Sequence, residues 1–247
     1  FSETCGVADM IALALKLTQA GVGDYWDDVD RWTRNQFAEN QLTSCGWVPE
    51  LPKPRPSASD PQESSNAYAV GQLKELLGRN QVSAPGVTID RVPERCLGLF
   101  ASYPSANQWL GPCESGNHNA HSGCCTGNGS RTIYYVWENI LRFHDGKLEV
   151  NLLLNRASPW ADVDSAIPCE GRVDVKIKQA CDLAVRIPEW VKPEQAKCQV
   201  NGTDRSLSWD GRYAVVGKVQ PNDVATLTFP INWASLIAFA PQAPEFV

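Results

Sequence analysis

The 247-residue chain has a single methionine and only three histidines, at positions 118, 121 and 144. There is no G-x-S-x-G stretch, so these histidines leave little from which to build a serine triad. Glycine patterns of the P-loop or dinucleotide kind are missing as well, which removes the usual phosphate cradles. Positive charge is short: 22 basic residues stand against 28 acidic ones and are scattered, so neither nucleic acid nor an anionic membrane is an expected partner. Long apolar runs are absent too. The longest, 10–17, contains Lys16 and is far too short to span a bilayer. Nine cysteines are present, but no two are spaced C-x-x-C, which excludes the standard zinc knuckle, and their wide spacing lacks the density of a disulfide scaffold. Reduced thiols or a metal are expected instead, and with them a cytoplasmic setting. The chain begins at Phe1 without a basic segment leading into an apolar one, and it reads as a piece of something longer.

What is there divides into two halves. Between Val7 and Ala20 the apolar residues Met10, Ile11, Leu13, Leu15 and Leu17 predict a buried helix that stops at Gly21-Val22-Gly23. Asp24 can cap a second helix, with Trp26, Val29, Trp32, Thr33 and Phe37 recurring at spacings of three and four. The prolines of "LPKPRPSASDPQESS" (51–65) predict a long loop, and a second irregular stretch runs from Ser102 through Gly129. "SRTIYYVWENILRF" (130–143) then reads as a helix turning Ile133, Val136, Trp137, Ile140 and Leu141 to one face. After the hairpin signal Asp145-Gly146 the period changes to two. "KLEVNLLLN", "GRVDVKIKQA", "DLAVRIPEW", "KCQVNG", "RYAVVGK" and "DVATLTFP" predict short strands of an antiparallel β-sandwich. Helices followed by strands, with no βαβ alternation, make the chain α+β and multidomain, with a helical domain over 1–145 and a strand domain over 146–247.

The chemistry is concentrated in Glu3, Cys5, Cys124 and Cys125. Glu3 and Cys5 are two residues apart, a spacing that lets both point to one site from extended backbone, and Cys124 and Cys125 sit in the glycine-rich stretch "HSGCCTGNG" (121–129). Three thiolates and a carboxylate would satisfy a tetrahedral zinc ion. The residues alone leave a second reading open, in which the adjacent cysteines are small buried apolar side chains. Gly127 and Gly129 can be explained by a tight turn of positive φ or, as backbone donors, by an anion. Cys45, Cys96, Cys113, Cys169, Cys181 and Cys198 show no ligand pattern.

Taken in order, "SETCG", "GDYWDDVDRWTRNQ", "VPERCLGLFASYPSANQWLGP", "GCCTGNGSRTIYYVWENIL", "RIPEW" and "VNG" resemble the zinc- and cysteine-dependent β-L-arabinofuranosidase family of glycoside hydrolases. The resemblance covers most of the chain, with the E-T-C and C-C motifs its most specific parts. It implies an (α/α) barrel, of which this chain supplies the last helices, followed by a β-sandwich. It also implies Zn2+ held by Glu3, Cys5, Cys124 and Cys125, with Cys124 as the nucleophile of a retaining hydrolysis on an oligosaccharide or other glycoside. The family's general acid/base glutamate lies upstream of its E-T-C motif, so the chain by itself is expected to be inactive or nearly so. After Phe229-Pro230-Ile231 the likeness ends, and a truncated or altered C-terminus is expected. His118, His121 and Trp109 are candidate substrate-binding residues, the histidines by closeness to Cys124 and the tryptophan by its stacking face, with solvated loop and core packing as the alternatives. Glu114 is a candidate substitute acid. The rival to catalysis is a non-catalytic protein in which the same four residues hold a structural zinc and the strands bind carbohydrate or protein.

Overall fold

The computed structural model describes residues 3–45, 91–101 and 123–232. The chain divides into two compact units, Phe1–Glu138 and Asn139–Val247. The proline-rich stretch 51–65 lies outside the described residues.

The helical unit opens with α1, Thr4–Gln19. Val7, Ala8, Ile11, Ala14 and Leu15 form its buried stripe at spacings of three and four, while Met10 and Leu13 are exposed, so the helix is buried along one side only. It ends as its glycines predict. Gly21 takes a positive φ of 71°, and the N–H groups of Gly21 and Val22 return to the carbonyls of Thr18 and Leu17 at 3.0 Å. Next comes α2, Trp26–Trp32, whose first turn is held by Asp24 Oδ1 accepting from the Trp26 N–H at 3.2 Å. A wider turn, Thr33–Phe37, continues it with Asn35 off the helical φ/ψ. The extra residue of such a turn shifts the register of the residues after it. Phe37 is thereby buried against Phe100, with ring centroids 4.8 Å apart.

Residues 40–42 run antiparallel to residues 98–101. Ala101 N–H donates to the Asn40 carbonyl at 2.8 Å, Leu42 N–H to Leu99 at 2.9 Å, and Gly98 N–H to Leu42 at 2.8 Å. The short helix α3, Val92–Arg95, leads into this strip. The next helix, α4, spans Gly123–Asn139.

The start and end of α4 differ from the spacing-based expectation. It begins seven residues before Ser130, which takes Cys124 and Cys125 out of a loop and into its first turn. Its buried positions are Cys125, Gly129, Thr132 and Val136, at spacings of three and four, whereas Ile133 and Trp137 are exposed. Polar and glycine positions line the packed side, so apolar residues alone pointed to the wrong face. The segment also stops being helical at Asn139, because Leu141–His144 is a strand. Ile140 and Leu141 suit either period, and pairing with the next strand decides it.

In the strand unit, β1 (Leu141–His144) and β2 (Lys147–Val150) form a hairpin whose turn residues Asp145 and Gly146 have φ values of 47° and 76°. Two consecutive positive φ angles define the turn that suits strand twist, hence Asp-Gly. Next in the chain are β3 (Arg156–Ala157), β4 (Ala161–Ser165), β5 (Arg172–Ile177) and β6 (Cys181–Arg186). After these come β7 (Lys197–Val200), β8 (Thr203–Asp204), β9 (Ser208–Asp210), β10 (Tyr213–Val219) and β11 (Val224–Thr228). One sheet has the order β1-β2-β6-β10-β9 and the other β3-β4-β5-β11-β7-β8. Among the described strands all pairings are antiparallel but one: β2 and β6 run parallel, aligning Leu148 with Leu183 and Val150 with Val185. The alternating residues of both sheets meet in one apolar cluster that includes Leu148, Leu183, Val185, Val173, Val175 and Leu227. The architecture is α+β. No helix among the described residues is long and apolar enough to cross a membrane.

Candidate metal centre

Glu3, Cys5, Cys124 and Cys125 come together although about 120 residues separate the two pairs. One ligand atom from each lies within 4.8 Å of all the others. Cys5 Sγ is 3.3 Å from Cys125 Sγ, Cys125 Sγ is 3.1 Å from Glu3 Oε1, and Cys124 Sγ is 3.8 Å from Cys125 Sγ. Sulfurs about 2.3 Å from a tetrahedral zinc stand about 3.8 Å apart, the separation of the Cys124 and Cys125 sulfurs. The two shorter contacts would open by about half an ångström to admit the ion, and the soft thiolate donors with one carboxylate suit zinc. The residues therefore fit the metal.

Local backbone explains the convergence. Glu3 is extended, with φ −67° and ψ 146°, and α1 starts at Thr4, so Cys5 stands in a helical first turn rather than in extended backbone. Cys124 and Cys125 occupy the first turn of α4. Adjacent helical residues ordinarily point about 100° apart. Their Cα–Cβ bonds nevertheless tilt toward the helix N-terminus, and in a first turn nothing lies ahead of them, so both sulfurs can reach forward to a shared point. First turns also carry unsatisfied N–H groups and the positive end of the dipole, a setting that favours an anionic ligand set.

A scaffold of buried polar contacts holds the pieces in register. Thr4, between Glu3 and Cys5, donates its hydroxyl to the Ala101 carbonyl and accepts from Asn40 Nδ2 at 2.8 Å. Both Thr4 and Asn40 are fully buried. From the other side, the Thr126 hydroxyl donates to the Phe100 carbonyl at 3.2 Å. Gly129 explains itself by space: a Cβ there would stand 2.5 Å from the Phe100 ring. Gly127 and Gly129 are helical and neither takes a positive φ, which overturns the tight-turn explanation of these glycines. Their lack of side chain, not their turn-forming freedom, is what Phe100 requires at Gly129.

The four candidate ligands differ in access. Cys125 is completely buried, Cys5 and Glu3 are half-buried, and Cys124 is exposed. Burial pushes the Cys5 thiol above its ordinary value and Cys124 adds to the push, while hydrogen bonds with Asn128 and Cys125 pull it back. Asn128 lies one turn after Cys124, and Thr4, Asn40, Asn128 and Phe100 were not visible as site residues in the sequence.

Of the other candidates, His118, His121, Trp109, Glu114 and Cys113 lie outside the described residues. The described cysteines form no disulfide. Burial pushes the thiols of Cys181 and Cys198, in the strand unit, up to about 11. Among the described residues the four-residue cluster is the one group of this kind.

No protein-family profile matches the chain, and no curated protein sequence does. Solved structures do. A glycoside hydrolase is 25% identical over 44% of this chain and 20% of its own, with a TM-score of 0.38. A GH127 β-L-arabinofuranosidase from Geobacillus stearothermophilus T6 is 20% identical over 57% of this chain and 22% of its own, with a TM-score of 0.36. A GH127 β-arabinofuranosidase is 17% identical over 53% of this chain and 23% of its own, with a TM-score of 0.33. The chain thus spans about a fifth of the length of each.

Proposed function

We propose that the chain is part of a retaining glycoside hydrolase of the β-L-arabinofuranosidase kind, in which Glu3, Cys5, Cys124 and Cys125 hold a zinc ion and Cys124 is the nucleophile. What carries the reading is the unequal access of the three sulfurs within one cluster: Cys125 is sealed in the core and Cys124 is exposed. A purely structural site has no need of that difference, since metal binding alone would link α1 to α4 with every ligand buried.

A bound zinc would keep its thiolates ionised at neutral pH and make a displaced one a good leaving group. Cys124, reachable by a sugar, attacks the anomeric carbon and the glycosidic C–O bond breaks, leaving a thioglycosyl group on its sulfur. Water then attacks the same carbon and returns the thiolate, so two inversions retain the configuration. Cys125, Cys5 and Glu3 keep the centre assembled while Cys124 reacts. Protonating the leaving oxygen and deprotonating the water need a separate carboxyl group, because Glu3 is engaged by the cluster. On this reading the helices belong to an (α/α) barrel, the paired sheets are its β-sandwich, and His118, His121 and Trp109 lie near the sugar.

The test is made in protein long enough to hydrolyse an activated β-L-arabinofuranoside. Cys124→Ser is expected to lower kcat by about a thousandfold or more, and a sugar electrophile is expected to label Cys124 in the unchanged protein. Labelling of another residue, or activity surviving in Cys124→Ser, refutes the role of Cys124. The same variant is expected to retain most of its metal through the three other ligands; full activity without zinc would refute the centre.

A further inference from the structure

We infer that Cys5 and Cys125 form a redox-closable pair, which peroxide converts to a disulfide that excludes the metal and a thiol reductant reopens. The inference rests on the reading of the cluster as a metal centre, but it concerns which two of the three sulfurs join when no ion keeps them apart.

The distances choose the pair. Cys5 and Cys125 sulfurs are 3.3 Å apart, closer than Cys124 and Cys125 at 3.8 Å. A disulfide needs about 2.0 Å between sulfurs and a Cβ separation near 3.8 Å. Cys5 and Cys125 come from different helices, α1 and α4, so no shared peptide constrains the bond and two first-turn side chains are left to close the remaining gap. Cys124 and Cys125 are neighbours across one planar peptide inside α4; joining them would force the first turn out of helical geometry. Access then sets the order of events. Within this pair Cys5 is half-buried and meets the oxidant while Cys125 is sealed; exposed Cys124 meets it too, but its sulfur stands farther from Cys125, at 3.8 Å against 3.3 Å, and is tied to it through one peptide.

The chemistry balances with hydrogen peroxide as the oxidant. The Cys5 thiolate attacks a peroxide oxygen and the O–O bond breaks, giving a sulfenic acid and hydroxide. The Cys125 sulfur then displaces the sulfenic oxygen, which leaves as water, and the S–S bond forms. Overall two thiols lose two electrons and two protons, and one peroxide becomes two waters. The product removes two of the four donors at once, so Glu3 and Cys124 alone remain and zinc is released. Bound zinc opposes the reaction by occupying both lone pairs that must meet.

Two samples of the 247-residue chain, one metal-free and one loaded with zinc, are treated with about one equivalent of hydrogen peroxide. Remaining thiols are blocked and cross-links are mapped by peptide mass spectrometry, while a chromogenic chelator reads zinc. The metal-free chain is expected to gain a Cys5–Cys125 cross-link. The zinc-loaded chain is expected to react at least tenfold more slowly and to release one zinc per cross-link, with both reversed by dithiothreitol. Cys5→Ser is expected to lose the cross-link; because that change could disturb α1, exposed Cys124→Ser is the second variant, and it is expected to keep the cross-link. A Cys124–Cys125 or Cys5–Cys124 product, or over-oxidation without any cross-link, overturns the inference. Failure of the chain to take up zinc, with the Cys5–Cys125 product still formed, would count against the metal centre and against zinc protection, and would leave the pairing itself upheld.

Discussion

In the strand unit one apolar cluster runs through both sheets, from Leu148 on β2 and Leu183 on β6 to Val173 on β5 and Leu227 on β11. The buried set of the helical unit is mixed: Ile11, Val29 and Phe100 share it with the hydrogen-bonded Thr4 and Asn40. Apolar packing is non-directional and tolerates small shifts, whereas a buried hydroxyl or amide must meet its partner within a few tenths of an ångström. The strand unit, though it also buries the bonded Asn151 and Ser158, is therefore fastened chiefly by area, and the helical unit by the bonds of Thr4 and Asn40 as well. Such bonds suit the place where four donor atoms must hold one geometry, because misplacing Thr4 displaces Glu3 and Cys5 with it.

If the proposed zinc is bound, removing it is the most forceful way to set the two units apart. A strong chelator acting on zinc-loaded protein is expected to cost the helical unit several kcal/mol, given that structural zinc contributes about 10–16 kcal/mol in zinc-finger peptides. Hydrogen exchange is expected to quicken through α1 and the first turns of α4 and to stay unchanged in β5, β6, β10 and β11. Equal loss of protection in both regions would show that the ion does not single out the helices.

Point substitutions sharpen the contrast at intermediate size. Leu183→Ala opens a cavity in the apolar cluster and is expected to cost about 2–5 kcal/mol by denaturant melting, with zinc affinity intact. Asn40→Ala removes the bond to Thr4 and is expected to cost about 1–3 kcal/mol. It should also weaken zinc binding several-fold. If zinc affinity falls more for Leu183→Ala than for Asn40→Ala, the division of labour is wrong.

Alkaline pH gives the smallest effect. Burial holds Cys181 and Cys198 protonated up to about 11, above the ordinary 9.0 at which they ionise once unfolded. The unfolded chain therefore loses these protons first, and stability falls as pH rises from 9 toward 11. By pH 10 the loss is about 1 kcal/mol per thiol. Replacing both by alanine is expected to flatten this part of the stability profile, read from melts between pH 8 and 10.5; an unchanged slope would place its origin elsewhere.

Much of the strand unit was legible in the sequence because alternation with period two and the turn pair Asp145-Gly146 are local signals. The parallel pairing of β2 with β6 was not, since both partners alternate alike whichever way they run. In the helical unit, α1 and its glycine stop were legible, but α4 was misread at both ends. Gly123, Gly127 and Gly129 are poor helix formers, and what favours the helix there is the closeness of Phe100 to Gly129, a contact between distant residues. Polar Thr132 on the buried side misled the apolar count in the same way.

By itself the sequence determined the elements whose causes are local: the periods of α1 and the strands, the turns, the E-T-C and C-C motifs, and the donor types that make zinc the fitting ion. Tertiary structure alone decided that Glu3 and Cys5 stand within 4.8 Å of Cys124 and Cys125, and that one sulfur is exposed while its neighbour is sealed. The physical reason is separation along the chain. Residues about 120 positions apart carry no mark of each other in spacing or composition, and their meeting is set by the packing of Phe100 on Gly129 and the buried bonds of Thr4 and Asn40.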